Sequence, residues 1–199
     1  MCNTRPATRT TPSAEPCHGL SIQDPVPAFD ALESAAAANT AEYKSRAGIM
    51  VKEPINRFSS RTVPRISLLR LAAAMQKGTD CSDELCIMAL VLMVRYCRTT
   101  GTALTLKMMH RLYVASLHLA IKTHSDRYFR NDTYAMMAGI STTELNLLES
   151  VLLGGLEWRC LVEASEATEF VAAPVAFVAG GIPAACYHTP ENPNTPPPA

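Results

Sequence analysis

CSDELCIMALVLMVRYCR, residues 81–98, is apolar on almost every side. Leu85, Ile87, Met88, Leu90, Val91, Leu92, Met93 and Val94 follow one another with no charge between Glu84 and Arg95. A helix with no polar face belongs in the middle of a protein, covered by other elements. Ser82 stands where an N-cap would, and Asp83 and Glu84 fall in the first turn, where the helix N-terminus favours negative charge. Gly101 lies just past Arg98 and marks the stop. This segment is therefore expected to be a buried central helix that its neighbours wrap.

Those neighbours can be read outward in both directions. Upstream, a first helix is expected to open at Pro64, a good first-turn residue, and to stop by Gly78, with Ile66, Leu69 and Ala73 on one face. Residues 81–98 make the second. Downstream, residues 105–124 carry Leu106, Met109, Leu112, Tyr113, Leu117 and Ala120 at helical spacing and form the third. A short fourth runs from Asn131 as cap to Gly139 as stop. The fifth has the clearest start in the chain: Ser141-Thr142-Thr143-Glu144 is a capping box, and Leu145, Leu148, Leu152 and Leu156 stack behind it. Gly154 and Gly155 lower helix propensity near its end and leave room for a close neighbour. A sixth, weaker helix is expected over residues 165–172.

Proline frames this body. It is scattered from Pro6 to Pro64, absent from residues 65–173, and dense afterwards. Because proline clashes inside a helix and removes a donor, the gap outlines the helical region. The expected organisation is a low-complexity, mostly disordered extension over residues 1–60, a helical domain over 61–162, and a segment over 163–199 that holds the short helix and a proline-rich extended tail. Within the extension, residues 28–52 could hold a helix on Phe29, Leu32 and the alanine run, but its apolar face is thin. The fold class is all-α.

Lysine plus arginine equal aspartate plus glutamate at 18 each, so the chain has no bulk field to hold a phosphate backbone, and no nucleic-acid partner is expected. Residues 170–187 are uncharged and long enough to span a bilayer, but Pro174, Gly180, Gly181 and Pro183 break them, so no membrane partner is expected either. Arg5 and Arg9 in an acid-free N-terminus fit a mitochondrial presequence only faintly, because Pro6 and Pro12 spoil the amphipathic helix. Seven cysteines include no C-x-x-C pair, and the odd count without a signal peptide favours a reducing compartment. Cys86 and Cys97 read as small buried hydrophobes.

No catalytic constellation emerges. There is no P-loop and no G-x-S-x-G. His110 and His118 lie two turns apart, too far for one metal ion, and Glu144 and Glu149 do not face a common site. Neither metal nor cofactor is expected. Tyr113, Tyr128, Phe129 and Tyr134 have no basic groove around them and read as core or interface residues rather than a base-stacking platform. Lys122 and Glu149, taken alone, are a solvated pair worth under about 1 kcal/mol. Thr11, Thr189 and Thr195 each precede proline in the tails and are candidate sites for a proline-directed kinase.

A family resemblance enters at specific strings. Pro64-Arg65-Ile66-Ser67 resembles the P-x-I-S opening of a cyclin box. Cys81-Ser82, Ala89 and Arg95-Tyr96 resemble its second helix, C-S-x(6)-A-x-x-Y-L-D-R-F. His110-Arg111-Leu112, Ser116, Ala120 and Lys122 resemble H-R-L-x-x-x-S-x-x-x-A-x-K in its third. Asp126, Tyr128, Asn131, Tyr134-Ala135 and Gly139-Ile140-Ser141-Thr142-Thr143-Glu144-Leu145-Asn146 resemble the stretch that follows, with Leu147-Leu148-Glu149 and Trp158 completing it. Their order and spacing agree with the five helices, and the chain is similar over residues 64–162 to single-box cyclins of the phosphate-pathway (P/U) type.

The resemblance implies a five-helix cyclin box around its second helix, acting as a regulatory subunit that binds and activates a cyclin-dependent protein kinase without catalysis of its own. Such a box pushes the kinase's regulatory helix inward and completes the lysine–glutamate pair that orients ATP. In cyclins generally a lysine late in the third helix and a glutamate in the fifth contact the kinase, which here carries over to Lys122 and Glu149. Leu148 and Leu152 are expected to offer exposed apolar surface beside them, with Asp126 close by. The resemblance places the protein in the nucleus and/or the cytoplasm. A cyclin-fold adaptor in transcription, a scaffold that does not activate a kinase, and a small helical enzyme are the alternatives; the first usually needs two boxes and a basic surface.

Three positions depart from the pattern. Y-L-D-R of the second helix reads Leu92-Met93-Val94-Arg95, and Y-L-x-R of the first reads Leu71-Ala72-Ala73-Ala74. Cyclins generally pair this aspartate with the first helix. Losing one partner would strand a buried charge at a cost of about 3–5 kcal/mol, whereas losing both can be neutral. Thr123 replaces the family's phenylalanine after the lysine, so the preferred kinase is expected to differ.

Overall fold

The Ser141 hydroxyl accepts a hydrogen bond from the Glu144 N–H at 3.1 Å, starting a helix where the capping motif stands. The computed structural model describes residues 24–45 and 55–174, and every regular element in them is a helix. In chain order these are α1 (Val26–Ser45), α2 (Leu68–Thr79), α3 (Asp83–Thr100), α4 (Met109–His124), α5 (Asn131–Ala138), α6 (Thr142–Gly155) and α7 (Ala164–Ala172). The five helices expected for the box are α2 to α6, and the weak sixth is α7. The expected tail threonines Thr11, Thr189 and Thr195 lie outside the described residues.

α3 is buried along most of its length, from Cys86 to Tyr96, with Ser82 in extended geometry as its N-cap and Gly101 in the left-handed region (φ 62°) as its stop. No capping bond from the Ser82 side chain forms, so Asp83 and Glu84 complement that end instead. α4 shares the centre. Its residues from Leu112 to Ile121 are all buried, and α3 and α4 make the largest helix–helix contact. The buried rod expected of residues 81–98 is thus one of two that run through the core.

The first expected helix differs in start and face. It begins at Leu68 rather than Pro64, because the Ser67 hydroxyl accepts the Arg70 N–H at 3.3 Å and fixes the first turn there. Its buried stripe is Leu68, Ala72, Met75 and Thr79, while Ile66 is 41% exposed and Ala73 faces solvent. α4 likewise starts at Met109, four residues later than expected, after a turn over residues 106–108.

α1 occupies the segment expected to be mostly without structure. Phe29, Leu32 and Ala36 are buried, and Phe29 meets the Tyr113 ring edge-on at 5.6 Å. Its thin apolar face is supplemented by hydrogen bonds. Asn39 Nδ2 donates to the Leu104 carbonyl at 2.9 Å, Thr40 Oγ1 accepts from the Leu106 N–H at 3.0 Å, and Glu33 Oε2 accepts from the Leu68 N–H at 3.2 Å. Polar groups that satisfy buried backbone donors and acceptors anchor a helix that hydrophobic pattern alone would leave loose.

The departures from the family pattern fall into place here. Val94 is buried in the core and Ala74 is exposed, so the first two box helices carry no charge pair at these positions. The next residue, Arg95, ties α3 to the far end of the chain. Its guanidinium donates to the carbonyls of Arg159 (2.6 Å) and Leu161 (2.9 Å) and to the Glu166 carboxylate (2.5 Å).

Candidate functional site

The last turn of α4 and the middle of α6 bring together two residues 27 positions apart. Lys122 Nζ lies 2.5 Å from Glu149 Oε1, with the lysine side chain 33% exposed and the glutamate 13%. α6 faces α4 along its leucine stripe, which sets Glu149 at the seam. A buried histidine lies beneath the pair without bonding to it. The same Glu149 oxygen is 3.9 Å from Nδ1 of His118, whose side chain is fully buried one turn before Lys122. His118 Nε2 is 3.1 Å from Asn131 Oδ1, and Asn131 Nδ2 donates to Asn146 Oδ1 at 2.7 Å. With Asn131 so oriented, Nε2 carries the imidazole proton and Nδ1 turns its lone pair toward Glu149. Burial holds the His118 pKa below its ordinary value, against the opposing pull of Glu149. Hydrogen bonds thus join His118, Asn131 and Asn146 across α4, α5 and α6, while Glu149 is bonded to Lys122, contacts that periodicity does not reveal.

The other expected contact residues separate. Leu148 and Leu152 are 1% and 0% exposed and belong to the core, not to an exposed apolar surface. They carry the α6 stripe that packs on α4, and a residue cannot fill both places. Asp126 is exposed in the loop after α4. Exposed apolar side chains stand instead in that loop, where Tyr128 is 65% and Phe129 45% exposed, and at Leu147 of α6, two residues before Glu149. Phe129 meets Tyr134 edge-on at 6.2 Å, and its N–H donates to the Tyr134 hydroxyl at 3.1 Å, which fixes the loop's course. The residue types of Tyr128 and Phe129 fit either the core or an interface, and their place in the connection between α4 and α5 favours the latter.

Beside the loop lies an open groove of about 800 Å³. Leu85 and Met88 of α3 form one wall; Ile121 of α4 and the loop from Ser125 to Phe129 form the other. The last turn of α4 therefore offers the groove wall and Lys122 within one turn of helix. Among the described residues no group of His, Cys, Asp and Glu is placed to hold a metal ion, and no helix is long and apolar enough to cross a membrane. His110 Nε2 sits 2.7 Å from the Ile66 carbonyl, a partner that braces the approach to α2.

Compared with known proteins, residues 22–160 match the cyclin family model. This chain belongs to the cyclin family. Cyclin-P3-1 of Oryza sativa subsp. japonica is 34% identical over 113 residues, covering 57% of this chain and 48% of that protein. Cyclin-U3-1 of Arabidopsis thaliana is 33% identical over 106 residues, covering 53% and 48%. PHO85 cyclin-7 of Saccharomyces cerevisiae is 28% identical over 129 residues, covering 59% and 45%. Within the family this cyclin is of the P/U type. It spans about half the length of the curated relatives it matches. The family match takes in α1 as well as the five box helices, in keeping with the packing of α1 on α2 and α3.

Proposed function

We propose that this cyclin is a regulatory subunit that binds and activates a cyclin-dependent protein kinase and performs no catalysis itself. The observation that carries the reading is the Lys122–Glu149 pair at the α4–α6 seam, at the positions where the family resemblance puts the kinase contact. Docking there presents a cation and an anion to the small lobe of the kinase, and the exposed Tyr128 and Phe129 of the loop after α4 supply aromatic anchors of the kind that dominate interface energies. The formed geometry matters: a lysine and a glutamate already bonded to each other, the glutamate only 13% exposed, lose little side-chain entropy on binding. In the kinase, pressure on the regulatory helix would seat its glutamate against the ATP-orienting lysine.

Affinity capture from native extract with this cyclin as bait, read by mass spectrometry, tests the proposal. A cyclin-dependent kinase as the dominant partner supports it. Recovery of transcription components without a kinase would replace it with the adaptor reading.

A further inference from the structure

Two thiols meet at the start of α3. Cys81 Sγ and Cys86 Sγ are 4.0 Å apart. Cys81 is the residue before the N-cap Ser82, and Cys86 is the fourth residue of the helix, so the two occupy the places where apolar side chains commonly staple a helix entry. Their exposure differs. Cys86 is 2% exposed, whereas Cys81 is half-buried and lines the groove between α3 and the α4–α5 loop. A small oxidant in the groove reaches one sulfur and not the other.

We propose that Cys81 and Cys86 form a peroxide-sensitive thiol pair that closes reversibly to a disulfide across the entry of α3. The Cys81 thiolate attacks one oxygen of hydrogen peroxide; the S–O bond forms, the O–O bond breaks, and hydroxide leaves to become water by taking a proton. The Cys81 sulfur, oxidised by two electrons, is now a sulfenic acid. The Cys86 thiol gives up its proton and attacks that sulfur; the S–S bond forms and the hydroxyl departs as water. Two thiols and one peroxide give one disulfide and two waters, and a dithiol reductant restores the pair by exchange.

The surroundings suit each role. A hydrogen bond from the Cys86 thiol, with help from Thr79, brings the Cys81 pKa down to about 7 against the opposing effect of burial. The Cys86 thiol is held well above its usual range by its bond to Cys81 and by burial. Cys81 is therefore the attacking sulfur and Cys86 the resolving one. A disulfide needs the sulfurs about 2 Å closer. Cys81 lies outside the helix next to Ser82 in extended geometry, so its side chain can turn without breaking a helical hydrogen bond.

Peptide mapping of the full chain after limited hydrogen peroxide tests this directly. The tryptic peptide over residues 78–95 contains Cys81 and Cys86 and no other cysteine. Its mass should fall by two hydrogens, with both thiols protected from alkylation and recovered by dithiothreitol, while Cys97 and Cys160 stay alkylatable. In Cys86→Ala, Cys81 should stop at a sulfenic acid that dimedone traps. In urea the several-fold preference for Cys81 over Cys160 should vanish, because it belongs to the fold. Native Cys81 reacting no faster than Cys160, or bonding to a cysteine other than Cys86, would overturn the proposal; both readouts come from the unmutated protein.

Discussion

The Arg95 guanidinium meets the Glu166 carboxylate at 2.5 Å, joining α3 to α7 across 71 residues of chain. The same group donates to the Arg159 and Leu161 carbonyls, so one side chain holds the connection between α6 and α7 at two points as well as α7 itself. Its side chain is 18% exposed, and charged donors to several acceptors contribute more than a lone surface pair. Arg95→Ala should lower stability by about 2 kcal/mol and Glu166→Gln by less than about 1 kcal/mol, because the carbonyl bonds survive the second change. Urea denaturation followed by circular dichroism measures both.

Adjacent glycines in α6 should respond in opposite ways. A Cβ at Gly155 would overlap the Tyr96 ring, coming within 2.6 Å of Cδ2, and that ring is held edge-on by Phe58 at 5.2 Å. A Cβ at Gly154 meets nothing within 4 Å. Gly155→Ala should cost about 1–3 kcal/mol by overpacking. Gly154→Ala should be neutral or stabilise by up to about 1 kcal/mol through helix propensity. The two midpoints of chemical unfolding, compared with the parent, decide it.

How far the fold could be read in advance varied by element. Ser141 and the leucines at 145, 148, 152 and 156 placed α6 almost to the residue, because capping and periodicity agreed. α2 lies one position off its expected face: Pro64 looks like a helix start, but the Ser67 hydroxyl is what caps it, and the buried stripe moves with the cap. α1 was faint because Asn39, Thr40 and Glu33 hold it by hydrogen bonds to distant backbone, which leave no hydrophobic period. At the site, Lys122 and Glu149 are legible only through the family resemblance; nothing in local spacing links two residues 27 positions apart. Leu148 and Leu152 could not be told from surface contacts, since a core stripe and a docking stripe have the same period.

Stability should fall on the acid side of neutrality, and His118 should account for part of the slope. Burial depresses its pKa in the folded state, so below the ordinary value near 6.5 the unfolded chain binds a proton that the folded one resists. The stability is complete above about pH 6.5 and is lost as pH falls toward the depressed folded value. His124, also depressed by burial, adds to the slope: its Nε2 accepts the Val162 N–H at 3.2 Å and loses that bond on protonation. His118→Gln should flatten the dependence of unfolding free energy on pH between about 7 and 5, whatever its effect at neutral pH. An unchanged slope would assign the acid loss elsewhere.

The central claim is that the Lys122–Glu149 pair is where a kinase is engaged. Phosphotransfer by a cyclin-dependent kinase captured with this cyclin, titrated with the parent protein and with Lys122→Glu, tests it most directly. The substitution sets two carboxylates side by side and leaves the leucine stripe of α6 untouched. The account predicts activation by the parent and a loss of at least about tenfold in apparent affinity for the variant, with helical circular dichroism unchanged. Full activation by Lys122→Glu at the parent's concentration would contradict it.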